Sequence, residues 1–246
     1  MNGSGKTTFI NLLCRLYDPI EGQILLNGID IRKYRYDEYM RIFAVVFQDF
    51  RLFALPLGQN VAAGAHYGSE RVMDCLSKAG FGDRLKTLPD GLDTPLYKEL
   101  DKNGVEVSGG EAQKIAIARA LYQDAPFIVL DEPTAMLDPN GRKEVIRTAH
   151  ELNRKKGVTI ILITHYMEEV VDADKVIVMD QGKVVMQGTP REVFSQVGKL
   201  KEYRLDVPQV TILADLLRQS GIDVPVGVLH RQELVDAILR VAQIGE

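Results

Sequence analysis

The sequence has little cysteine and no long apolar run. Only two cysteines, Cys14 and Cys75, occur in 246 residues, and both fall in helix-like patterns far apart in the chain. This usage favours a reduced cytosolic setting, with both thiols as ordinary packing residues. No apolar run approaches the ~20 residues that span a bilayer, and the first residues do not resemble a signal peptide. We therefore expect any membrane role to depend on a partner protein.

The sequence also lacks an excess of positive charge. Its formal net charge is −4, so nothing indicates a general affinity for DNA or for anionic lipid. The composition, 46% hydrophobic and 26% charged, suits one large or two small globular domains.

The first residues contain the body of a phosphate-binding loop, Asn2-Gly3-Ser4-Gly5-Lys6-Thr7-Thr8. Small residues let backbone N–H groups turn inward around a phosphate, and a helix start adds its positive dipole end. Lys6 would reach the β- and γ-phosphates of a nucleotide, and the Thr7 hydroxyl would hold Mg²⁺. The full pattern needs a preceding glycine and strand. The alternative is a disordered tail rich in glycine and serine.

Two segments further along place polar residues at functional positions. The β-rich run Ile42–Phe47 predicts a buried strand that ends at Gln48, which either caps the strand or contacts Mg²⁺ or the attacking water. Ser108 and Glu111 have capping-box spacing, so a core helix begins there. The intervening Gly109 and Gly110 are costly in a helix unless its N-terminus must approach an anion closely.

Two acids follow the apolar run Phe127–Leu130. We expect this run to be a strand, with Asp131 as a Mg²⁺ partner through water and Glu132 as the general base that polarises the attacking water. A solvated pair at a strand end is the alternative. The next strand, Val158–Ile163, should also be buried and lead to His165. That histidine either is structural or contacts a γ-phosphate at the strand edge where ligands bind.

The remaining segments predict a short strand followed by a turn at Asn27-Gly28, helices at Ser69–Lys78 and from Asp138 through about Lys156, and a hairpin around Asp180-Gln181-Gly182. A composition change near Gly198 is followed by two amphipathic helices. We therefore predict a nucleotide-binding domain over 1–197, with a helical subdomain at roughly 50–122, and a helical extension over 198–246.

This ordered set of motifs resembles the ATP-binding-cassette (ABC) ATPase family over nearly the whole chain. The resemblance implies an α/β P-loop NTPase fold with a mostly parallel sheet. It also implies ATP and Mg²⁺ as ligands, Walker A at Lys6 and Thr7, and Walker B at Asp131 and Glu132. It implies Gln48 as the Q-loop residue and His165 as the switch histidine. It also implies Ser108–Glu111 as the signature motif and Asp138, downstream of Walker B, as a nucleotide-binding residue.

In that family the signature motif binds the γ-phosphate of ATP held by a second subunit, so two sites form in a head-to-tail dimer. The implied partners are a second ABC ATPase subunit, like or unlike this chain, and integral membrane transporter subunits, with no nucleic acid. The implied location is the cytoplasmic face of the cell membrane.

The sequence departs from the family pattern at three places. Glu111 stands where glutamine is usual and Val107 where leucine is usual. The early strands and the aromatic residue that stacks on adenine have no counterpart. We expect a fragment or a mis-called start, poorly soluble and nearly inactive as residues 1–246, because a parallel sheet without a central strand exposes apolar faces and backbone groups.

The two halves resemble different subfamilies. From Asp131 onward the chain is similar to the ATPase subunits of energy-coupling-factor transporters, which import vitamins and metal ions; Thr164-His165-Tyr166-Met167 is one such segment. Residues 2–125 are more similar to an exporter cassette, as in Phe47-Gln48-Asp49-Phe50. A composite with its junction near Walker B is one hypothesis for this difference.

For the function, we favour an ATPase subunit of an energy-coupling-factor importer. The alternatives are an exporter cassette, a soluble cassette acting on DNA or ribosomes, and a non-catalytic regulatory cassette.

Overall fold

The computed structural model of the protein describes residues 5–244. Their contacts divide the chain into two compact units. One holds the described residues up to Ile10 together with those from Thr164 onward, and the other holds Asn11–Ile163. The first helix, α1 at Lys6–Leu13, runs across this division.

A parallel sheet forms the centre of the unit Asn11–Ile163. Its three strands are β3 (Phe43–Val46), β4 (Phe127–Asp131) and β5 (Thr159–Ile163), with β4 in the middle. The register places Val46 beside Leu130 and Leu130 beside Leu162. All three strands were predicted, and their parallel arrangement brings their carboxyl ends to the same edge.

Strand β5 is less buried than predicted. Residues Ile160–Ile163 are only partly buried, and Thr159 is exposed. Within the described residues β5 pairs on one side only, with β4, so it is an edge strand. The central strand β4 is buried from Ile128 to Asp131, as the prediction for a strand covered on both faces requires.

The other elements of this unit are short strands and helices. The predicted turn at Asn27-Gly28 joins β1 (Leu25–Leu26) to β2 (Ile29–Asp30), and the two strands form an antiparallel hairpin. The helices are α2 (Tyr36–Met40), α3 (Leu57–Ala62), α4 (Ser69–Lys78), α5 (Gly82–Leu85), α6 (Gly109–Tyr122) and α7 (Pro139–Lys156).

The core of this unit joins the sheet to its helices. It contains Val46 and Leu130 from the strands, Leu76 from α4, Ile115 from α6 and Val145 from α7, each at most 3% exposed. Both cysteines are buried free thiols, Cys14 after α1 and Cys75 in this core. The sheet and α6 are therefore anchored in one apolar cluster, which fixes the loops at their ends.

The unit that runs from Thr164 onward also holds the start of α1. Its further elements include a hairpin and four α-helices. Strands β6 (Val176–Asp180) and β7 (Lys183–Gly188) pair antiparallel around the predicted turn. They are followed by α8 (Pro190–Phe194), α9 (Val197–Glu202), α10 (Gln209–Gln219) and α11 (Arg231–Ile244). The predicted domain boundary at 197/198 falls inside α9, and the division into domains 1–197 and 198–246 stays a prediction.

No helix within residues 5–244 combines the length and the apolar character that crossing a membrane requires.

Candidate functional site

The first turn of α1 carries the predicted phosphate-binding residues. Gly5 has φ +84°, and its carbonyl accepts a hydrogen bond of 2.8 Å from the Phe9 amide. A Cβ at Gly5 would lie 3.0 Å from the Gly182 Cα, so both conformation and space favour glycine. The side chains of Thr7 and Thr8 are exposed in the first turn, where helix N–H groups lack intrahelical partners. Asn2, Gly3 and Ser4 lie outside the described residues.

Three predicted residues lie at the carboxyl edge of the sheet. Gln48 is exposed and follows β3 in a turn closed by the Phe50 amide on the Phe47 carbonyl, at 3.2 Å. Asp131 ends β4 beside Ile163 and is 7% exposed. Glu132 follows it and is half-buried. The structure thus brings Gln48, Asp131 and Glu132 to one edge, as the strand predictions required.

The backbone of Glu132 is in the left-handed region, with φ +46°. Its amide donates to the Ile163 carbonyl at 2.8 Å, and its carbonyl accepts from the Ala135 amide at 3.1 Å. A non-glycine residue in this conformation costs on the order of 1 kcal/mol and persists only where its surroundings hold it. Such positions cluster at functional sites, and this one is the predicted general base.

His165 comes two residues after β5 but belongs to the other unit. Its ring is exposed and lies 4.2 Å from the Tyr166 ring, centre to centre. The surrounding turn is fixed by Thr164, whose hydroxyl donates to Glu169 at 2.6 Å and accepts from the Tyr166 amide at 3.0 Å. His165, Lys6 and Thr7 belong to one unit, and Glu132 belongs to the other. That these residues approach Glu132 stays a prediction.

The predicted capping box at the start of α6 is present. The Ser108 amide donates to Glu111 Oε2 at 2.8 Å, and the Glu111 amide donates to Ser108 Oγ at 3.3 Å. Asp138 caps α7 in the same way, accepting from the Gly141 amide at 3.1 Å. The two helix N-termini therefore keep side-chain caps that leave the glycines accessible.

A groove of about 580 Å³ joins these two N-termini. It is lined by residues of the α6 start, of the loop after β4 and of the first turns of α7: Ser108, Gly109, Gly110, Glu111, Lys114, Met136, Leu137, Asp138, Asn140, Gly141 and Glu144. Lys114 and Glu144 form an ion pair of 2.6 Å between the two helices. The predicted signature residues and Asp138 thus share one surface.

Sequence reasoning missed two features near these sites. Arg84 of α5 forms an ion pair of 2.8 Å with Glu111 Oε1. Asn60 of α3 is 1% exposed, and its amide oxygen accepts from the Phe53 amide at 2.8 Å in the loop after Gln48. No local pattern marks either residue, because Arg84 pairs with a residue far away in the sequence and Asn60 bonds to the backbone of an irregular loop.

The residues at the sheet edge and those at α1, each taken within its own unit, carry donor types that suit a magnesium nucleotide. Thr7, Gln48 and Asp131 offer hydroxyl, amide and carboxylate oxygens, the donor types that Mg²⁺ prefers. Within residues 5–244 no group of three or more His, Cys, Asp or Glu side chains is placed to hold a metal ion. Nucleotide-bound Mg²⁺ keeps several waters and takes one or two protein carboxylates besides phosphate oxygens, so Asp131 suits it by donor type, with Thr7 and Gln48 as neutral oxygen donors.

The profile of the ABC transporter family matches residues 1–135. The chain belongs to this family. Among curated proteins, the energy-coupling factor transporter ATP-binding protein EcfA1 of Caldanaerobacter subterraneus subsp. tengcongensis is 43% identical over 249 residues, covering 97% of this chain and 84% of the relative. The protein EcfA2 of the same organism is 37% identical over 251 residues, covering 97% of this chain and 82% of the relative.

Among solved structures, a bacterial Atm1-family ABC exporter with ATP bound aligns with a TM-score of 0.71 and 32% identity. The alignment covers 83% of this ABC chain and 35% of the exporter chain. The predicted ABC ATPase fold and family are therefore confirmed. The roles of the individual site residues stay predictions.

Proposed function

We propose that this ABC protein is the ATP-binding and ATP-hydrolysing subunit of an energy-coupling-factor transporter that imports vitamins or metal ions. The observation that carries this proposal is the 43% identity to an energy-coupling factor transporter ATP-binding protein along 97% of the chain. It acts at the cytoplasmic face of the membrane, held there by integral membrane subunits, and takes ATP with Mg²⁺.

The positions of the site residues support a division of roles. Lys6 and the first turn of α1 bind the phosphates, and the oxygens of Thr7, Gln48 and Asp131 hold Mg²⁺. Glu132 accepts the proton of the attacking water, for which its fixed backbone orients the carboxylate. His165 contacts the γ-phosphate through its ring.

The second half of each site comes from another subunit. Ser108–Glu111 and Asp138 line an open groove rather than a closed pocket, which is the form expected of a surface that meets ATP on a partner. One organism encodes both EcfA1 and EcfA2, and this chain is closer to EcfA1, at 43% against 37% identity. This supports a pair of unlike ATPase subunits, although a pair of like chains has the same geometry.

An exporter cassette is the second candidate. It is favoured by the 0.71 TM-score to an exporter with ATP bound and by the exporter-like segment around Gln48. The composite origin proposed for the two halves is a separate hypothesis. Continuous DNA reads across codons 125–145, with intact flanking genes, would exclude an assembly artefact.

The direction of transport separates the two candidates. Lys6→Ala should be introduced into the chromosomal gene, and uptake of a panel of labelled vitamins and divalent metal ions measured beside efflux of lipophilic dyes. We expect loss of uptake for at least one vitamin or metal ion with dye efflux unchanged. Lost efflux with intact uptake would favour the exporter, and no change in either would contradict both.

A further inference from the structure

Glu111 uses both oxygens of its carboxylate at the start of α6. Oε2 accepts the Ser108 amide at 2.8 Å, and Oε1 lies 2.8 Å from the Nε of Arg84. The Arg84 side chain is 37% exposed and that of Glu111 24% exposed. The guanidinium therefore reaches the capping box from a separate helix, α5.

A carboxylate at this position disfavours the proposed binding of a phosphate at the N-terminus of α6. The start of α6 is to meet the terminal phosphate of ATP, and a negative side chain in the first turn repels that anion. The family usually has a neutral glutamine here, which caps the helix without adding charge. This chain therefore carries a charge that its proposed function has to offset.

Arg84 supplies the offsetting charge. Arg84 lies beside the groove and reaches Glu111 from outside its lining, whereas Lys114, the cation that lines the groove, is paired with Glu144 at 2.6 Å. In the same turn of chain as Arg84, Lys86 is paired with Asp83 at 2.8 Å and does not line the groove. Among the ion pairs described for the groove, only that of Arg84 neutralises the signature residue itself.

We propose that Arg84 is a positioning residue of the signature motif: its charge neutralises Glu111, so that the Ser108-Gly109-Gly110 backbone can approach a phosphate. This inference rests on the proposed function of Ser108–Glu111. It predicts that Arg84 is needed because residue 111 is a glutamate, and that the need disappears when residue 111 is neutral.

The test is a double-substitution cycle in the transporter assembled with this chain. Arg84→Gln should raise the KM for ATP about tenfold with kcat changed less than about threefold. In a Glu111→Gln background, the same Arg84→Gln substitution should change KM by less than about twofold, because no charge is left to neutralise. The tenfold effect should shrink at 0.5 M NaCl, where exposed charges are screened.

Lys86→Gln is the matched control, since it removes a neighbouring cation that pairs with Asp83 and not with Glu111, and KM should be unchanged. The Tm of Arg84→Gln should also be nearly unchanged, because half-exposed ion pairs contribute little to stability. An equal rise in KM in both backgrounds, or none in either, would overturn the inference. Ser108→Arg tests the proposed function of the signature motif separately from the role of Arg84. If this variant keeps normal turnover, the proposed function of the signature motif is wrong.

Discussion

The Glu132 amide donates a 2.8 Å hydrogen bond to the Ile163 carbonyl while Glu132 has φ +46°. The β4–β5 ladder thus continues one residue past β4, and the chain then leaves the sheet through a left-handed turn. This holds the carboxylate at the sheet edge at a cost in backbone strain.

The strain at Glu132 predicts an unusual order of stabilities. Glu132→Gly should be more stable to urea than Glu132→Ala by about 1 kcal/mol, because alanine keeps the left-handed penalty and glycine does not. Glu151 is an exposed position inside α7. There the alanine variant should be more stable than the glycine variant by about 1 kcal/mol. Equal stabilities of the two Glu132 variants would show that the backbone is not strained.

Asn60 stabilises the loop that follows Gln48. Its Nδ2 donates to the Phe53 and Leu55 carbonyls at 2.9 and 3.0 Å, and its Oδ1 accepts from the Phe53 amide. Asn60→Ala should lower the free energy of unfolding by about 2–4 kcal/mol, because it leaves buried backbone groups unpaired. The exposed Asn103→Ala should change it by less than about 0.5 kcal/mol. A similar small change at Asn60 would contradict this role.

The two thiols should be unreactive in the folded protein. Cys14 is 2% exposed, and burial raises the pKa of its thiol to about 11; burial also raises the pKa of Cys75. At pH 8 the thiolate of Cys14 is then about 100-fold scarcer than for an ordinary thiol. A thiol-disulfide reagent should label two thiols per chain in denaturant and none within minutes without it. Rapid labelling of the folded protein would show that the core around them opens.

Cys14 also predicts a loss of stability in alkali. Its folded pKa of about 11 is above the ordinary value of 9.0, so the stability associated with the neutral thiol is fully present below pH 9. That contribution is lost as pH rises from 9 through 11, because the unfolded chain releases the proton first. Unfolding by urea at pH 8 and pH 10 should show a smaller decrease for Cys14→Ala than for the wild type. Equal decreases would exclude Cys14 as the cause.

Local patterns predicted most of the elements. The Asn27-Gly28 turn, the Ser69–Lys78 helix and the Ser108 capping box follow from turn, periodicity and capping rules, and all three are present. Helix α3 was missed because Leu57–Ala62 is short and begins after Pro56 without a side-chain cap. The exposure of β5 was missed because the sequence does not show which strand lies at the edge of a sheet.

Features that depend on distant residues could not be predicted. The ion pair of Arg84 with Glu111 joins two helices through irregular chain, and the left-handed φ of Glu132 comes from its pairing with Ile163. The candidate site residues could be named from the sequence because each motif is local, and their roles stay predictions. Their mutual arrangement required the parallel register of β3, β4 and β5.

The central claim is that this ABC protein hydrolyses ATP with Glu132 as the general base. ATP binding and steady-state ATP turnover should be compared for the wild type and Glu132→Gln in the assembled transporter. We predict that the variant binds ATP with little change while turnover falls by roughly two to four orders of magnitude, because the proton acceptor is lost. Turnover equal to that of the wild type would remove Glu132 from the mechanism and contradict the account.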